Sequence, residues 1–387
     1  MSGRRVYLDH NATAPLLPAA REAMLAALDA GANPSSVHTE GRKARAIVEK
    51  ARRSVAALCG ARPDHVVFTS GATEAAAMLL SPEWTLGRAP LRMSRLYVSA
   101  TEHPCVLAGG RFGPDRIVQI PVDADGLVDL AFLKQALSAH DASEGLPLVA
   151  IQAANNETGI LQPVAEIAAI VKAAGGMFVC DAVQAAGRIP LDISVGYSDF
   201  VILSSHKIGG PKGAGAVIGN TDLAMPRPLI AGGGQEKGLR AGTENVAAIA
   251  GFGAAAEIAL ARLEGMADIA ALRDRFEAAI LDIWPDATIY GSGAPRLANT
   301  IYFALPGLKA ETAQIAFDLE GVSLSAGSAC SSGKVGESHV LQAMGHAGKG
   351  GAVRVSIGPE TGEDELARFR EALTAIASRR DRDQRAA

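Results

Sequence analysis

Cysteine is scarce in this chain: four residues in 387, at positions 59, 105, 180 and 330. They lie too far apart for a disulfide scaffold and lack the close paired spacing of a zinc site, so at most one or two are expected to carry chemistry, as single thiols. Positive charge is not in excess either. A formal net charge of −4 speaks against a nucleic-acid-binding face or a polybasic membrane surface. The first residues, MSGRRVYLDHNATAP, turn polar directly after Met1, and no later apolar run reads as long enough to cross a bilayer. A cytoplasmic protein with no membrane and no nucleic-acid partner is therefore expected. No internal repeat or low-complexity tract interrupts the chain.

What is present suits a globular protein of two or three domains: apolar residues are 48% of the chain and charged residues 20%. Apolar strand-like runs alternate with helical ones. PAAREAMLAALDA, ending at Gly31, and SSVHTEGRKARAIVEKARRSVAALCG, starting with serine caps and ending at Gly60, read as helices. The strands HVVFTS, RLYVSA, RIVQIPV, LPLVAIQAAN, MFVCDA and DFVILSS follow, with helices at SGATEAAAMLL, LVDLAFLKQALSA and VAEIAAIVKAAGG between them. This alternation predicts an α/β fold with a mostly parallel mixed sheet covered on both faces and chemistry at the strand ends. After the alanine-rich helix near 242–265 the pattern becomes α+β. We therefore expect a large domain over 15–255 and a smaller one made of 1–14 and 256–387. The final SRRDRDQRAA reads as a solvated, mobile tail.

Several residues at predicted strand ends could serve one carbonyl cofactor. Lys207, after DFVILSS, is placed where a partly desolvated amine can form a Schiff base, which points to pyridoxal phosphate. Asp181 ends the strand FVCD, 26 positions earlier, and can hold the pyridinium nitrogen so that the ring acts as an electron sink. SGATEA turns from a strand into a helix, offering backbone amides at Ser70, Gly71 and Ala72 and the Thr73 hydroxyl to a phosphate. Ser204 and His206 can add donors to the same phosphate. His103, in TEHPCV, can stack on the ring and move protons. Lys212, among Gly210, Pro211, Gly213 and Gly215, reads as a loop surface charge.

Cys330 lies in SAGSACSSGKVGESH, whose small residues predict a mobile loop over about 323–338. A thiol there can approach a bound substrate and withdraw. Cys180, in an apolar strand, and Cys59, at a helix end, read as small core or near-surface hydrophobes. Cys105, two residues after His103, is separated from it by Pro104, so a turn or helix start is expected there rather than a nucleophilic Cys–His pair on one strand.

In this order and at these separations, SGATEA, TEHPCV, NNETG, CDAVQ, SSHKIGGPKGAGA, RAGTEN, SAGSACSSG and VRVSIG resemble the cysteine desulfurases of the nitrogen-fixation and iron–sulfur-assembly class. These are pyridoxal-phosphate enzymes of transferase fold type I, in the class-V aminotransferase family. The resemblance implies that Lys207 holds the cofactor, Asp181 pairs with its ring nitrogen, His103 covers the ring and Gln184 bonds its hydroxyl. It places Ala72, Thr73, Ser204 and His206 on the phosphate, together with Thr243 of the neighbouring subunit in a homodimer. Asn33, Asn156 and Arg354 would hold L-cysteine, with the Arg354 guanidinium on its carboxylate. Cys330 would accept the sulfur as a persulfide, leaving L-alanine, and pass it to an iron–sulfur scaffold protein or another acceptor. The resemblance implies no dedicated metal site, only transient contact of Cys330 with a cluster.

The chain departs from that pattern at Ala75–Ala77, where relatives often carry Asn, and at Cys105, where a small apolar residue is more usual. The competing readings are a selenocysteine lyase or another fold-type-I aminotransferase-like enzyme, and a non-enzymatic docking module that keeps the fold. An aminotransferase has no need of Cys330, and a docking module would be colourless. Lys207→Ala should abolish absorbance near the edge of the visible range in the purified protein, whereas Lys212→Ala should keep it; the reverse would overturn the assignment of Lys207.

Overall fold

The computed structural model describes residues 5–327, 338–347 and 351–386, with side chains to residue 380. The chain opens with β1 (Val6–Tyr7), α1 (Pro18–Asp29) and α2 (Thr39–Leu58). Then come β2 (Val66–Thr69), α3 (Ala72–Leu79), β3 (Glu83–Leu86), β4 (Ala89–Ser99), α4 (Pro104–Leu107), β5 (Ile117–Ile120), α5 (Leu130–Ser138), β6 (Leu146–Gln152), α6 (Val164–Ala173) and β7 (Met177–Asp181). β8 (Phe200–Ser204), β9 (Gly215–Gly219) and β10 (Ala224–Pro226) complete the large sheet.

That sheet runs in the order β10-β3-β4-β6-β7-β8-β9-β2, with β5 beside the upper part of β4. β5, β4, β6, β7 and β8 are mutually parallel. β9 is antiparallel to β8 and β2 antiparallel to β9, so β2 again points the same way as the parallel block. The carboxyl ends of β2, β4, β6, β7 and β8 therefore share one edge. β3 and β10 escape the sequence reading because they are short, and β9 because glycines bound it and a glycine-rich loop rather than a helix leads into it.

Each central strand is buried on both faces, which accounts for near-continuous apolar runs such as Leu146–Gln152 and Phe200–Ser204. Alternate residues feed two cores: Leu148 and Ala150 face one, with Trp84 and Phe200, while Val149 and Ile151 face the other, with Phe68 and Phe252. The remaining elements are α7 (Val246–Ala261), α8 (Met266–Ile283), β11 (Thr288–Ile289), β12 (Thr300–Ala304), α9 (Ala310–Leu319), β13 (Val322–Ser323), β14 (Ser325–Ala326), α10 (His339–Ala343), β15 (Ala352–Ser356) and α11 (Glu363–Ala386). A second sheet, β11-β12-β15-β14, packs with α8, α9 and α11 around Phe276, Phe317 and Phe369. β1 pairs with β13, so the N-terminal strand joins this later part of the chain.

Three expectations need correction. α2 starts at Thr39 rather than at the serines, because Asn33 accepts from the Ser35 amide through Oδ1 (2.8 Å) and from the Ser36 amide through its carbonyl (3.0 Å), holding both out of the helix. His38 is the cap instead, accepting from Gly41 N at 3.2 Å. The C-terminal tail does not leave the fold at Ser378: α11 continues to Ala386, since SRRDRDQRAA has no glycine or proline to stop it. Arg379 pairs with Glu320 at 2.6 Å and Arg380 lies over the Trp284 ring, which anchors the extra turn. Third, Val246–Ile283 is, among the described residues, a helical stretch long and apolar enough to cross a membrane. Its first part, α7, is apolar all round because it packs against both α1 and α2; a Cβ at Gly253 would lie 2.5 Å from the Cα of Ala51.

Candidate active site

The shared strand edge opens into a cavity of about 500 Å³. Its wall carries Ser70, Gly71, Ala72 and Thr73 from the start of α3, His103 and Cys105 from the start of α4, Asp181 from the end of β7, and Ser204, His206 and Lys207 from the end of β8. Gln152, Asn156 and Gln184 complete it, with Ala12 and Thr13 of the N-terminal segment. Local sequence explains the convergence. β7 and β8 are too apolar to stop elsewhere, and the polar residues directly after them are delivered to the edge. Gly215 lets β9 pass the α3 turn closely, since a Cβ there would lie 2.7 Å from the Gly71 backbone.

Asp181 is buried, and among the described residues it accepts one hydrogen bond, from Val183 N at 3.0 Å. Burial raises its carboxyl to about 6, against the opposing effects of that amide and of the Lys207 charge. Lys207 Nζ donates to the carbonyls of Asn11 (2.6 Å) and Ala12 (2.9 Å). Burial, with Lys207 and His339 adding, lowers His103 to about 4, so its imidazole is neutral at pH 7. His206 is lowered to about 4 by burial and by the charges of Lys207 and Lys212, and its Nδ1 lies 3.2 Å from Thr13 Oγ1. Lys212 is exposed, as its loop suggested, but it sits on the cavity rim with its charge reaching His206.

Asn156, Gln184, Ala72 and Ser204 all reach the cavity, as expected of them. Gln184 already donates from Nε2 to Asn11 O at 3.0 Å, and its Oε1 accepts from Arg188. Three residues are not brought to the cavity wall. Arg354 is buried on β15, paired with Asp9 at 2.7 Å and donating to Asn156 O at 2.8 Å, and its Nε has no hydrogen-bond partner among the described residues. Asn33 sits in the exposed turn before α2. Thr243 is exposed and lines an adjoining hollow of about 180 Å³, which shares Ser70 and Gly213 with the main cavity. Cys330 lies outside the described residues.

Sequence reasoning assigned no role to the segment Asp9–Thr13. Its one signal was the polar pattern DHNAT directly after an apolar strand, but Asn11 acts mainly through a main-chain carbonyl, which no side-chain pattern reports.

Pyridoxal phosphate fits this cavity. A buried carboxylate facing it with one protein donor suits a pyridinium, the Lys207 amine suits the carbonyl carbon, and the α3 amides with Thr73, Ser204 and His206 suit a phosphate. The profile of the class-V aminotransferases matches residues 6–369, and the chain belongs to that family of pyridoxal-phosphate enzymes. Within it, the chain is 39% identical over 374 residues to a cysteine desulfurase of Klebsiella pneumoniae, covering 94% of this chain and 90% of that protein. A solved NifS-like protein from Rickettsia africae superposes with a TM-score of 0.86 at 34% identity, covering 97% of this chain and all of the other. A protein named SspA, solved in complex with cysteine, superposes at 0.73 with 27% identity, covering 92% and 99% of the two chains.

The raised Asp181 carboxyl makes a signed prediction for the cofactor-free protein. Its folded value, about 6, exceeds the ordinary 3.8, so the stability it contributes is full below the ordinary value and lost as pH rises through about 6. Asp181→Asn, which cannot ionise, should become more stable relative to the parent as pH rises from about 4 to about 8, by up to roughly 3 kcal/mol. Urea titrations across that range check this, and a constant difference would contradict it.

Proposed function

We propose that the chain is a cysteine desulfurase: it removes sulfur from L-cysteine, releases L-alanine and carries the sulfur as a persulfide on Cys330. The observation that carries this reading is the meeting of Lys207, Asp181 and His103 with the α3 turn in one cavity. The high similarity to desulfurases over nearly the whole chain and the presence of Cys330 support it further.

Pyridoxal phosphate, when bound, supplies the electron sink that labilises bonds at and next to the substrate's α-carbon. Asp181 holds the ring nitrogen, and its buried carboxylate, which among the described residues accepts from the Val183 amide alone, gains a cationic partner there. Lys207 Nζ would hold the group at its carbonyl carbon, and the same amine is placed to move the substrate's α-proton. His103, neutral in its buried position, covers the ring and relays a proton. Thr73, Ser204 and His206 bind the phosphate, and Gln184 bonds the ring hydroxyl. Asn156 and Arg354 hold the substrate, with the main-chain carbonyl of Asn156 accepting from the guanidinium of Arg354. Asn33 closes on it from the turn before α2.

The sulfur step balances without an outside oxidant. The Cys330 thiolate attacks the substrate sulfur, an S–S bond forms, the substrate C–S bond breaks, and its electron pair passes to carbon. Protonation there completes alanine, so sulfur is oxidised by the same two electrons that reduce carbon.

The two separate apolar cores support a division into 15–255, holding the cofactor, and 1–14 with 256–387, carrying Cys330. Exposed Thr243 beside the α3 turn supports a two-fold homodimer in which it reaches the partner's phosphate. The sulfur acceptor is an iron–sulfur scaffold protein, and the enzyme works in the cytoplasm. Cys330→Ser should keep the bound chromophore while sulfide release from L-cysteine in the presence of a reductant falls at least roughly 100-fold; a chromophore-bearing variant that retains parental sulfide production would refute the reading.

A further inference from the structure

We propose that Cys105 is a positioning residue, whose thiol donates a hydrogen bond to Nδ1 of His103 and so helps fix that imidazole with its proton on Nε2. His103 caps α4, and the amide of Cys105 donates to its Nδ1 at 3.2 Å. A backbone N–H can only donate, so Nδ1 carries a lone pair and the single proton of the neutral ring sits on Nε2. Cys105 Sγ lies 3.0 Å from the same Nδ1. With Nδ1 already committed as an acceptor, the thiol at that distance is the donor.

The chemistry of the thiol agrees. Burial pushes Cys105 up to about 12, and the carboxylates of Asp181 and Glu102 act in the same direction. It therefore keeps its proton and serves as a hydrogen-bond donor, not as a second nucleophile. The Thr73 side chain acts in the opposite direction. Thr73, Cys105 and His103 all line the cavity, so the bonded Cys105–His103 pair faces the same space as the proposed phosphate turn. The unusual residue in TEHPCV thus has a local reason. The remaining titratable groups facing this pair are Lys207 after β8, His339 on α10 and Asp181 at the end of β7, with Glu102 beside them.

The functional consequence rests on His103 serving the cavity as proposed above, but the test reads the imidazole itself rather than turnover. Failure here would leave the desulfurase reading standing. The holoenzyme is labelled with ¹⁵N-histidine, and His103 is assigned by the signals lost in His103→Asn. Two substitutions separate donor from bulk: Cys105→Ser keeps a donor in less volume, and Cys105→Val keeps the volume without a donor, with Cys105→Ala in its place if valine prevents folding. In the parent and in Cys105→Ser the Nδ1 resonance should be that of an unprotonated, hydrogen-bonded nitrogen. In Cys105→Val it should move towards the free-imidazole position, and the protonation midpoint of His103 should rise by about half a unit or more, equivalent to roughly a threefold change in proton affinity. An Nδ1-protonated ring in the parent, unchanged signals in Cys105→Val, or equal displacement in the serine and valine proteins would each overturn the proposal.

Discussion

A buried carboxylate with one backbone donor is the constraint on which this site depends. Asp181 is delivered by the apolar strand β7 to the floor of a cavity, where water is largely excluded and the carboxyl rises to about 6. Such a group costs the folded protein stability unless a cation meets it. Lys207, whose charge acts on this carboxyl, donates to the main-chain carbonyls of Asn11 and Ala12. The sheet thus prepares a charge whose best complement is a ring nitrogen brought by a cofactor, and the same edge presents the amine and the helix start needed by the cofactor's other ends.

The N-terminal segment joins this edge to the rest of the molecule. The Asn11 carbonyl receives Lys207 and Gln184, while its side chain donates to Thr300 at 2.9 Å and accepts from Asn299 at 3.0 Å. Two residues earlier, Asp9 pairs with Arg354 and accepts from Ser325 at 2.7 Å. Five consecutive residues therefore couple Lys207 to the sheet that carries Arg354. On the opposite side of the cavity, Glu74 accepts from Ser70 N at 2.8 Å and pairs with Arg240 at 2.9 Å, and the buried Arg52–Glu236 pair fixes the same loop on β2. Glu236 and Lys237 sit in left-handed backbone conformations that this pairing holds in place.

How much of this was readable in advance follows from where the information lies. Lys207, Asp181 and Thr73 were visible because each is a polar residue directly after an apolar strand, and strand ends in a parallel sheet share one edge. The five parallel strands were visible for the same reason, whereas β3 and β10 were hidden by their shortness and β9 by the glycines at both its ends. Asn11 was hidden because it works through its carbonyl. The bond between Cys105 and His103 depended on a cap geometry that Pro104 suggests but does not specify. Arg354 was recognised as a type, but its pairing with Asp9 is a long-range contact with no local sign. Asn33 and Thr243 were named by resemblance alone, and within one chain they stand away from the cavity wall.

The central claim is that sulfur leaves L-cysteine for Cys330. It is tested most directly by the mass of the Cys330 peptide after the purified holoenzyme is incubated with L-cysteine and without reductant. The account predicts one added sulfur on that peptide, with alanine appearing in solution. An unmodified Cys330 and no alanine, in protein confirmed to contain pyridoxal phosphate, would contradict it.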